Sequence, residues 1–385
     1  FRFPTLESGL FSASASHATG FEVTGYQHAW VRDTVHIAHA LWRTDQPGMA
    51  VRAVVALMTY FQKHRHRLTD IIDGRADSRD PQQRPHIRFD GRQLAEVDEK
   101  WAHAQNDALG AFLWIFLRMI AEGVLRPSPA QWNVLADFPA FFRSVKYWED
   151  EDSGHWEETR KIAASSIGIV VAALRQLREL LTDPKCDFAW NRTENGVGTD
   201  ELNWLIQRGE TALKVILPFE CLQPDPAQHR RHDAALLFLI EPYGVVTGDV
   251  ADQIIADVRE HLMGPIGIRR YLHDSYWCAN YKDLLAADQR TADFSENLAE
   301  RDRLMEQGTE AQWCLFDPVL SVIFARRSQT VDSPADRERQ FEHLQRSLRH
   351  LTSAEHPAGP YRCPESYFRH RGEWIPRSEE HTSEL

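Results

Sequence analysis

The residues best placed to do chemistry fall between Glu149 and Glu158. Six carboxylates stand within those ten positions: Glu149, Asp150, Glu151, Asp152, Glu157 and Glu158. Glu157 and Glu158 directly follow Trp156, where an acidic loop gives way to the small and branched apolar residues of 162–174. A carboxyl group in that setting meets an apolar wall and a like charge next door, and both raise its pKa. A carboxylic acid kept protonated near neutrality can serve as a general acid. The same residues also read as a plain acidic loop before a helix whose N-terminus favours negative charge. Local features leave both readings open.

Composition narrows the classes of partner. The net charge of −12 argues against nucleic acid and anionic membrane. The longest apolar runs, near 108–121 and 162–174, are too short to span a bilayer. Five widely spaced cysteines (Cys186, Cys221, Cys278, Cys314, Cys363) form no CxxC or Cys/His cluster, which argues against a structural zinc site. Their odd number favours a reduced compartment, and so the cytoplasm. Twelve tryptophans suit either core packing or a sugar-stacking surface. At 385 residues the chain exceeds the size of one ordinary core. It is therefore two domains or one large ring-like or barrel-like domain. It begins at Phe1 rather than Met, so targeting is not observable. The last nine residues, 377–385, look like the translated adapter of a sequencing library and are set aside, leaving 1–376 as the expected domain.

The elements that must hold the acidic loop read as helices. After an irregular stretch over 1–29, Trp30-Val31-Arg32-Asp33 opens a helix to about residue 43. A second helix starts at Pro47, a favoured first-turn residue, and ends in the basic patch Lys63-His64-Arg65-His66-Arg67. That patch fits a phosphate site, a metal-binding HxH or a solvated helix end. The polar stretch 69–99 reads as a long loop. The segment 101–123, with Asn106 and Asp107 as candidate caps, is apolar on nearly every side and predicts an inner helix. Ser128-Pro129-Ala130-Gln131 gives a capping box before a helix to about 147. Further helices are expected at 162–181, 200–216, 228–240, 249–263, 309–327 and 334–353, the last capped by Ser333. Loops are expected at 183–199, 264–280 and 357–374. Period-two alternation is almost absent, so the fold class is all-α. Chemically loaded loops precede the first, third and fifth long helices, and up-and-down pairing sends them to one rim.

Several motifs then become recognisable together, in order. They are Ala29-Trp30-Val31-Arg32-Asp33; Trp101 with Gln105-Asn106-Asp107 and Gly110; and Gly154-His155-Trp156-Glu157-Glu158 with Ala164-Ser165-Ser166-Ile167-Gly168. Gly267-Ile268-Arg269-Arg270-Tyr271-Leu272-His273-Asp274-Ser275-Tyr276 and Pro364-Glu365-Ser366-Tyr367 complete the set. Over nearly all of residues 10–370 the chain resembles glycoside hydrolase family 15, the glucoamylases. Within that superfamily it looks closest to the branch containing the α and β regulatory subunits of phosphorylase kinase.

The resemblance implies an (α/α)6 toroid of the six-hairpin glycosidase type, truncated at its C-terminal end. It implies inverting hydrolysis of an α-glucosidic bond at an α-glucan or oligosaccharide end, with no cofactor and no metal. Glu157 matches the general acid and Glu365 the general base, a pair that must stand roughly 6.5–9.5 Å apart to admit water. Arg32 and Asp33 match residues that grip glucose hydroxyls, and otherwise read as an ion-paired helix start. Trp101 and Trp156 would stack on sugar faces or pack the core. Asp107 would contact substrate or cap its helix, and Glu158 would orient substrate or tune its neighbour. Arg270 and Asp274 match a pocket-lining segment, or form a structural ion pair. Trp313 departs from the family pattern, because Gln312 precedes it where Glu is usual. The alternative implied by the regulatory branch is a glucan-binding or regulatory domain without turnover.

Overall fold

The computed structural model describes Phe3, 5–13, 27–223, Asp225, 229–285, 302–356 and 360–377. The irregular stretch expected over 1–29 lies partly outside these residues, as does all of the set-aside tail beyond Arg377. The described chain is helical with short strands, and divides into two compact units, one ending at residue 216 and the other starting at 217. No helix among the described residues is long and apolar enough to cross a membrane.

In the first unit, a two-residue strand β1 (Ala29–Trp30) pairs antiparallel with β2 (Arg88–Phe89) and runs directly into α1 (Val31–Arg43). Helix α2 (Pro47–Lys63) packs on α1, with Pro47 at its first turn as the sequence predicts. The run ends at Lys63, in the basic patch as the sequence predicts. A short helix α3 (His66–Ile72) follows at once, and the patch is neutralised by acidic partners. Arg65 pairs with Asp137 and Glu194, and Arg67 with Glu96.

The inner helix is α4 (Asn106–Ala121), buried from Asn106 through Leu117, as its all-round apolar sequence demands. It packs against α1, against α5 (Pro129–Val145) and most extensively against α6 (Ala164–Leu180). Gly110 makes that last contact possible, since a Cβ there would stand 3.0 Å from the backbone nitrogen of Val170. The Ser128–Gln131 capping box forms as expected. Over 183–199, where a loop is expected, Asp183 accepts from the Lys185 amide at 2.8 Å and caps a short helix, α7 (Pro184–Trp190). Helix α8 (Thr199–Ile216) then packs on α6.

The second unit departs further from its sequence reading. The helix expected over 228–240 is only α9 (Leu236–Ile240). Residues before it are held by bridges Cys221↔Arg230 and Asp233↔Tyr271, and the Asp233 carboxylate takes the Ala235 amide. Helix α10 (Gly248–Asp257) continues into a π-helical turn, Val258–Leu262. A short helix α11 (Tyr281–Leu284) follows. Residues expected to be helical or irregular form a three-stranded sheet in the order β3 (Gln312–Trp313), β4 (Ser366–His370), β5 (Glu373–Pro376). Arg371 and Gly372, both at positive φ (50° and 91°), turn β4 into β5, the backbone geometry that favours tight hairpins. Helices α12 (Phe316–Val331) and α13 (Pro334–Arg349) pack as a pair, with Ser333 capping the second as predicted.

Two side chains hold the 264–267 turn, Gln312 from β3 and Arg346 from the helix Pro334–Arg349. Gln312 Oε1 accepts the amides of Ile266 (2.9 Å) and Gly267 (3.0 Å), while Arg346 donates to the carbonyls of Gly264, Ile266 and Gly267. A Cβ on Gly267 would meet the Trp313 carbonyl oxygen at 2.6 Å, and backbone cannot step aside as a flexible side chain can. Gly267→Ala is therefore expected to cost about 1–3 kcal/mol. Gly48→Ala, where a Cβ meets nothing within 4 Å, should be neutral or gain about 0.4–1 kcal/mol. Urea denaturation of the two variants checks the contrast.

Arg346 is oriented by Asp317, which also binds His343 (2.7 Å) and His350 (3.3 Å). Burial works against the Asp317 charge, but His343, His350 and Arg346 overcome it and hold its pKa below the ordinary range. Burial likewise opposes charge on His350, yet bonds to Asp317 and the Ile266 carbonyl leave its pKa raised. A depressed acid stabilises above its unfolded value and loses that contribution as pH falls. A raised histidine stabilises below its unfolded value and loses it as pH rises. The cluster should thus contribute most between about pH 4 and 6.5. Asp317→Asn is expected to lower the melting temperature more at pH 5.5 than at pH 3 or pH 8.

Candidate active site

Three backbone segments of the first unit meet at Glu157. Strand β1 delivers Trp30, and Arg32 follows in the first turn of α1 with its side chain buried. Gln105 is the N-cap residue of α4, and Asp107 lies fully buried in its first turn. Glu157 follows the 3-10 turn Gly154–Trp156 in the left-handed region (φ 57°), ahead of α6. Such a conformation is unfavourable for a side chain of this size, and it persists where surrounding structure imposes it.

The carboxyl of Glu157 is gripped on one oxygen. Trp30 Nε1 donates to Oε1 at 3.0 Å, Gln105 Nε2 donates to it at 3.1 Å, and Arg32 Nη2 lies 3.5 Å away. The other oxygen, Oε2, makes no hydrogen bond among the described residues. Burial raises the pKa of the group; Arg32 and the Gln105 bond pull it down, and Asp33 pushes it up again. The net shift is upward, in the sense a general acid needs.

Beneath Glu157 lies a buried polar network. Arg32 Nη1 donates to Gln105 Oε1 (2.8 Å) and Asp107 Oδ2 (2.7 Å), and His155 Nδ1 stands 3.4 Å from the same Asp107 oxygen. Burial opposes charge on both partners, but each carries the other. Arg32 is held above its usual value and Asp107 below its own. Asp107 is therefore not a helix cap; it anchors the guanidinium.

The other carboxylates Asp150 and Asp152 of the acidic loop are framework. Asp152 takes the Asn106 amide (2.8 Å) and the Ser166 hydroxyl (3.0 Å), tying the loop to the starts of α4 and α6. Burial, with Asp107 and Asp150 nearby, lifts Asp152 to about 7. Asp150 accepts both guanidinium nitrogens of Arg84 (2.6 and 2.7 Å) and the Asn106 side chain (2.8 Å). Asp152 and Lys161 exchange backbone bonds of 3.0 and 2.9 Å, closing the loop that presents Glu157.

Of the other expected residues in this unit, Asp33 is exposed beside Arg32, and Glu158 is buried. Trp101 is partly exposed, with the Arg88 guanidinium 4.0 Å over its ring and Trp30 edge-on at 6.2 Å. Trp156 is partly exposed and edge-on to His155 at 4.7 Å. The loops before α1, α4 and α6 thus share one cluster, as up-and-down pairing predicts. Trp30, Gln105, His155 and Asp152 take their positions through three-dimensional contacts that their sequence motifs do not spell out.

In the second unit Arg270 and Asp274 form a bidentate pair at 2.7 and 2.8 Å, with Asp274 fully buried and also accepting the Tyr276 amide. The guanidinium lies 4.8 Å over the Trp313 ring and 5.0 Å over Tyr276. Glu365 immediately precedes β4 and is partly exposed. Its carbonyl accepts the Cys314 amide (3.1 Å), and its Oε2 pairs with Arg377 at 2.9 Å.

A probable phosphorylase b kinase regulatory subunit alpha of Caenorhabditis elegans is 26% identical over 281 residues, covering 65% of this chain and 21% of that protein. Its Drosophila melanogaster counterpart is 24% identical over 301 residues, covering 70% and 22%. The chain thus spans about a fifth of the length of these curated relatives. Among solved structures, a wild-type glycosidase matches with a TM-score of 0.62 at 17% identity, covering 90% of this chain and 80% of that one. A bacterial glucoamylase complexed with acarbose matches with a TM-score of 0.55 at 14% identity, covering 83% and 44%. These likenesses establish the all-α glycosidase fold that the sequence predicts. With the pattern of glycosyl hydrolases family 15 matching residues 2–298, the chain belongs to that family.

Proposed function

We propose that the chain is an inverting, exo-acting α-glucoside hydrolase of the glucoamylase type. The observation that carries this reading is Glu157, with one carboxyl oxygen held by Trp30, Gln105 and Arg32 and the other left open. Oε2 donates its proton to the glycosidic oxygen as the bond to the anomeric carbon breaks. Glu365 takes a proton from the attacking water, whose oxygen joins that carbon from the opposite face, and both protons are accounted for. Arg32 and Asp33 grip hydroxyls of the terminal glucose, Trp101 and Trp156 offer sugar-stacking faces, and Asp107 positions Arg32. Glu158, Arg270 and Asp274 shape the site. The substrate class is an α-glucan or oligosaccharide end; solved relatives of this fold include a glycosidase in complex with glucose.

A second reading has its own support. The regulatory subunits are 24–26% identical to the chain, against 12–17% for the solved glycosidases and glucoamylases. They favour a glucan-sensing domain without turnover. Glucose release from maltooligosaccharides, trehalose and dextran, measured beside glucan binding, separates the two. Turnover that disappears in Glu157→Gln and Glu365→Gln supports the hydrolase. Binding with equal inertness of the wild type and both variants establishes the sensor.

A further inference from the structure

A second cluster of side chains, unrelated to Glu157, lies in the second unit where α10 passes into its π-helical turn. Asp257 closes the α-helix, His261 lies one turn later, and His232 comes from the bridged segment before α9. The His232 and His261 rings face one another, 4.2 Å between centroids and 29° apart in plane. His232 Nδ1 is 3.6 Å from Asp257 Oδ2, and one ligand atom from each of the three residues falls within 4.8 Å of the others.

The polar balance of this cluster is incomplete. Gln253 Nε2 donates to Asp257 Oδ1 at 2.6 Å, which fixes the carboxylate, but Oδ2 is buried and has no hydrogen-bond partner among the described residues. His232 Nδ1 is buried and unpartnered as well. A buried carboxylate oxygen needs a cation or a donor. Arg259, two residues on, is engaged with Glu342 at 3.1 Å.

We propose that His232, Asp257 and His261 bind a divalent transition-metal ion of the zinc type, leaving one coordination position to water. Two imidazoles and one carboxylate suit such borderline cations, and three protein ligands with an open position is a common zinc arrangement. Bonds of about 2.0–2.2 Å set tetrahedral ligand atoms roughly 3.5 Å apart, so atoms that stand within 4.8 Å of one another must draw in by as much as about 1 Å. His261, partly exposed, has the freedom to do so. Gln253 supplies the outer hydrogen bond that orients a ligating carboxylate. π-helical turns recur at functional sites, and here the turn separates two of the three ligands. The ion would tie the segment carrying His232 to the end of α10.

The test is calorimetric titration of chelator-treated protein with Zn²⁺, and with Co²⁺ followed by visible absorption. One equivalent should bind with a Co²⁺ spectrum of four- or five-coordination, and the melting temperature should rise. Asp257→Asn and His261→Ala should lose that equivalent, and Gln253→Ala should weaken it by roughly 10–100-fold. His64→Ala/His66→Ala, which removes the histidine pair of the basic patch, should leave it intact. Circular dichroism confirms that each variant folds, and Asp257→Asn preserves side-chain shape. Failure of the wild type to bind one equivalent, or binding unchanged in both Asp257→Asn and His261→Ala, overturns the assignment.

Discussion

Glu157→Gln is expected to reduce glucose release by about 10²–10⁴-fold, the usual contribution of a positioned general acid. The variant should fold normally, because a glutamine oxygen still accepts from Trp30 and Gln105 on the side where Oε1 now sits. What is lost is the proton on the open oxygen. A companion measurement is the pH profile of Gln105→Leu. The Gln105 bond stabilises the charged form of Glu157 and so holds its pKa down. Without it the carboxyl stays protonated to higher pH, and the alkaline limb of kcat should move upward. An unchanged limb would place the proton donor elsewhere, and an unchanged rate in Glu157→Gln would end the general-acid assignment.

The sequence shows this site in outline and conceals its wiring. Helices α2, α5 and α13 could be read from Pro47, Ser128 and Ser333 because each start carries its own local chemistry. The burial of α4 could be read because its apolar residues leave no polar face. The hairpin of β4 and β5 escaped because strands of five and four residues are too short to show a period. Its one local signal, Arg371-Gly372, is weaker than an Asn-Gly pair. Helix α7 was signalled by Asp183-Pro184 but was too short for an apolar stripe. Residues 229–235 fall within the expected helix 228–240, but the Asp233 carboxylate takes the Ala235 amide and the helix begins only at Leu236. At the site, Arg32, Asp107 and Glu157 were visible as motif residues. The hydrogen bond from Trp30 to Glu157 joins positions separated by 127 residues and leaves no trace in either motif.

Arg32→Leu is expected to destabilise the first unit by about 3–5 kcal/mol, the range for stripping one partner from a buried ion pair. Asp107 is fully buried and would keep its charge with only His155 beside it at 3.4 Å. The sign with pH follows from the depressed Asp107 value. The pair stabilises above the unfolded carboxylate pKa of about 3.9, and that contribution disappears as pH falls. The deficit of Arg32→Leu, read by urea denaturation against tryptophan fluorescence, should be large at pH 7 and shrink toward pH 3. Arg32→Leu/Asp107→Leu should be less destabilised than Arg32→Leu alone, because no uncompensated charge is left inside. If Arg32 also grips substrate, the double variant regains stability without regaining glucan binding or turnover. A double variant that recovers both would make the pair purely structural. Equal stability of the single and double variants at every pH would mean that the pairing seen at 2.7 Å carries no weight in the fold.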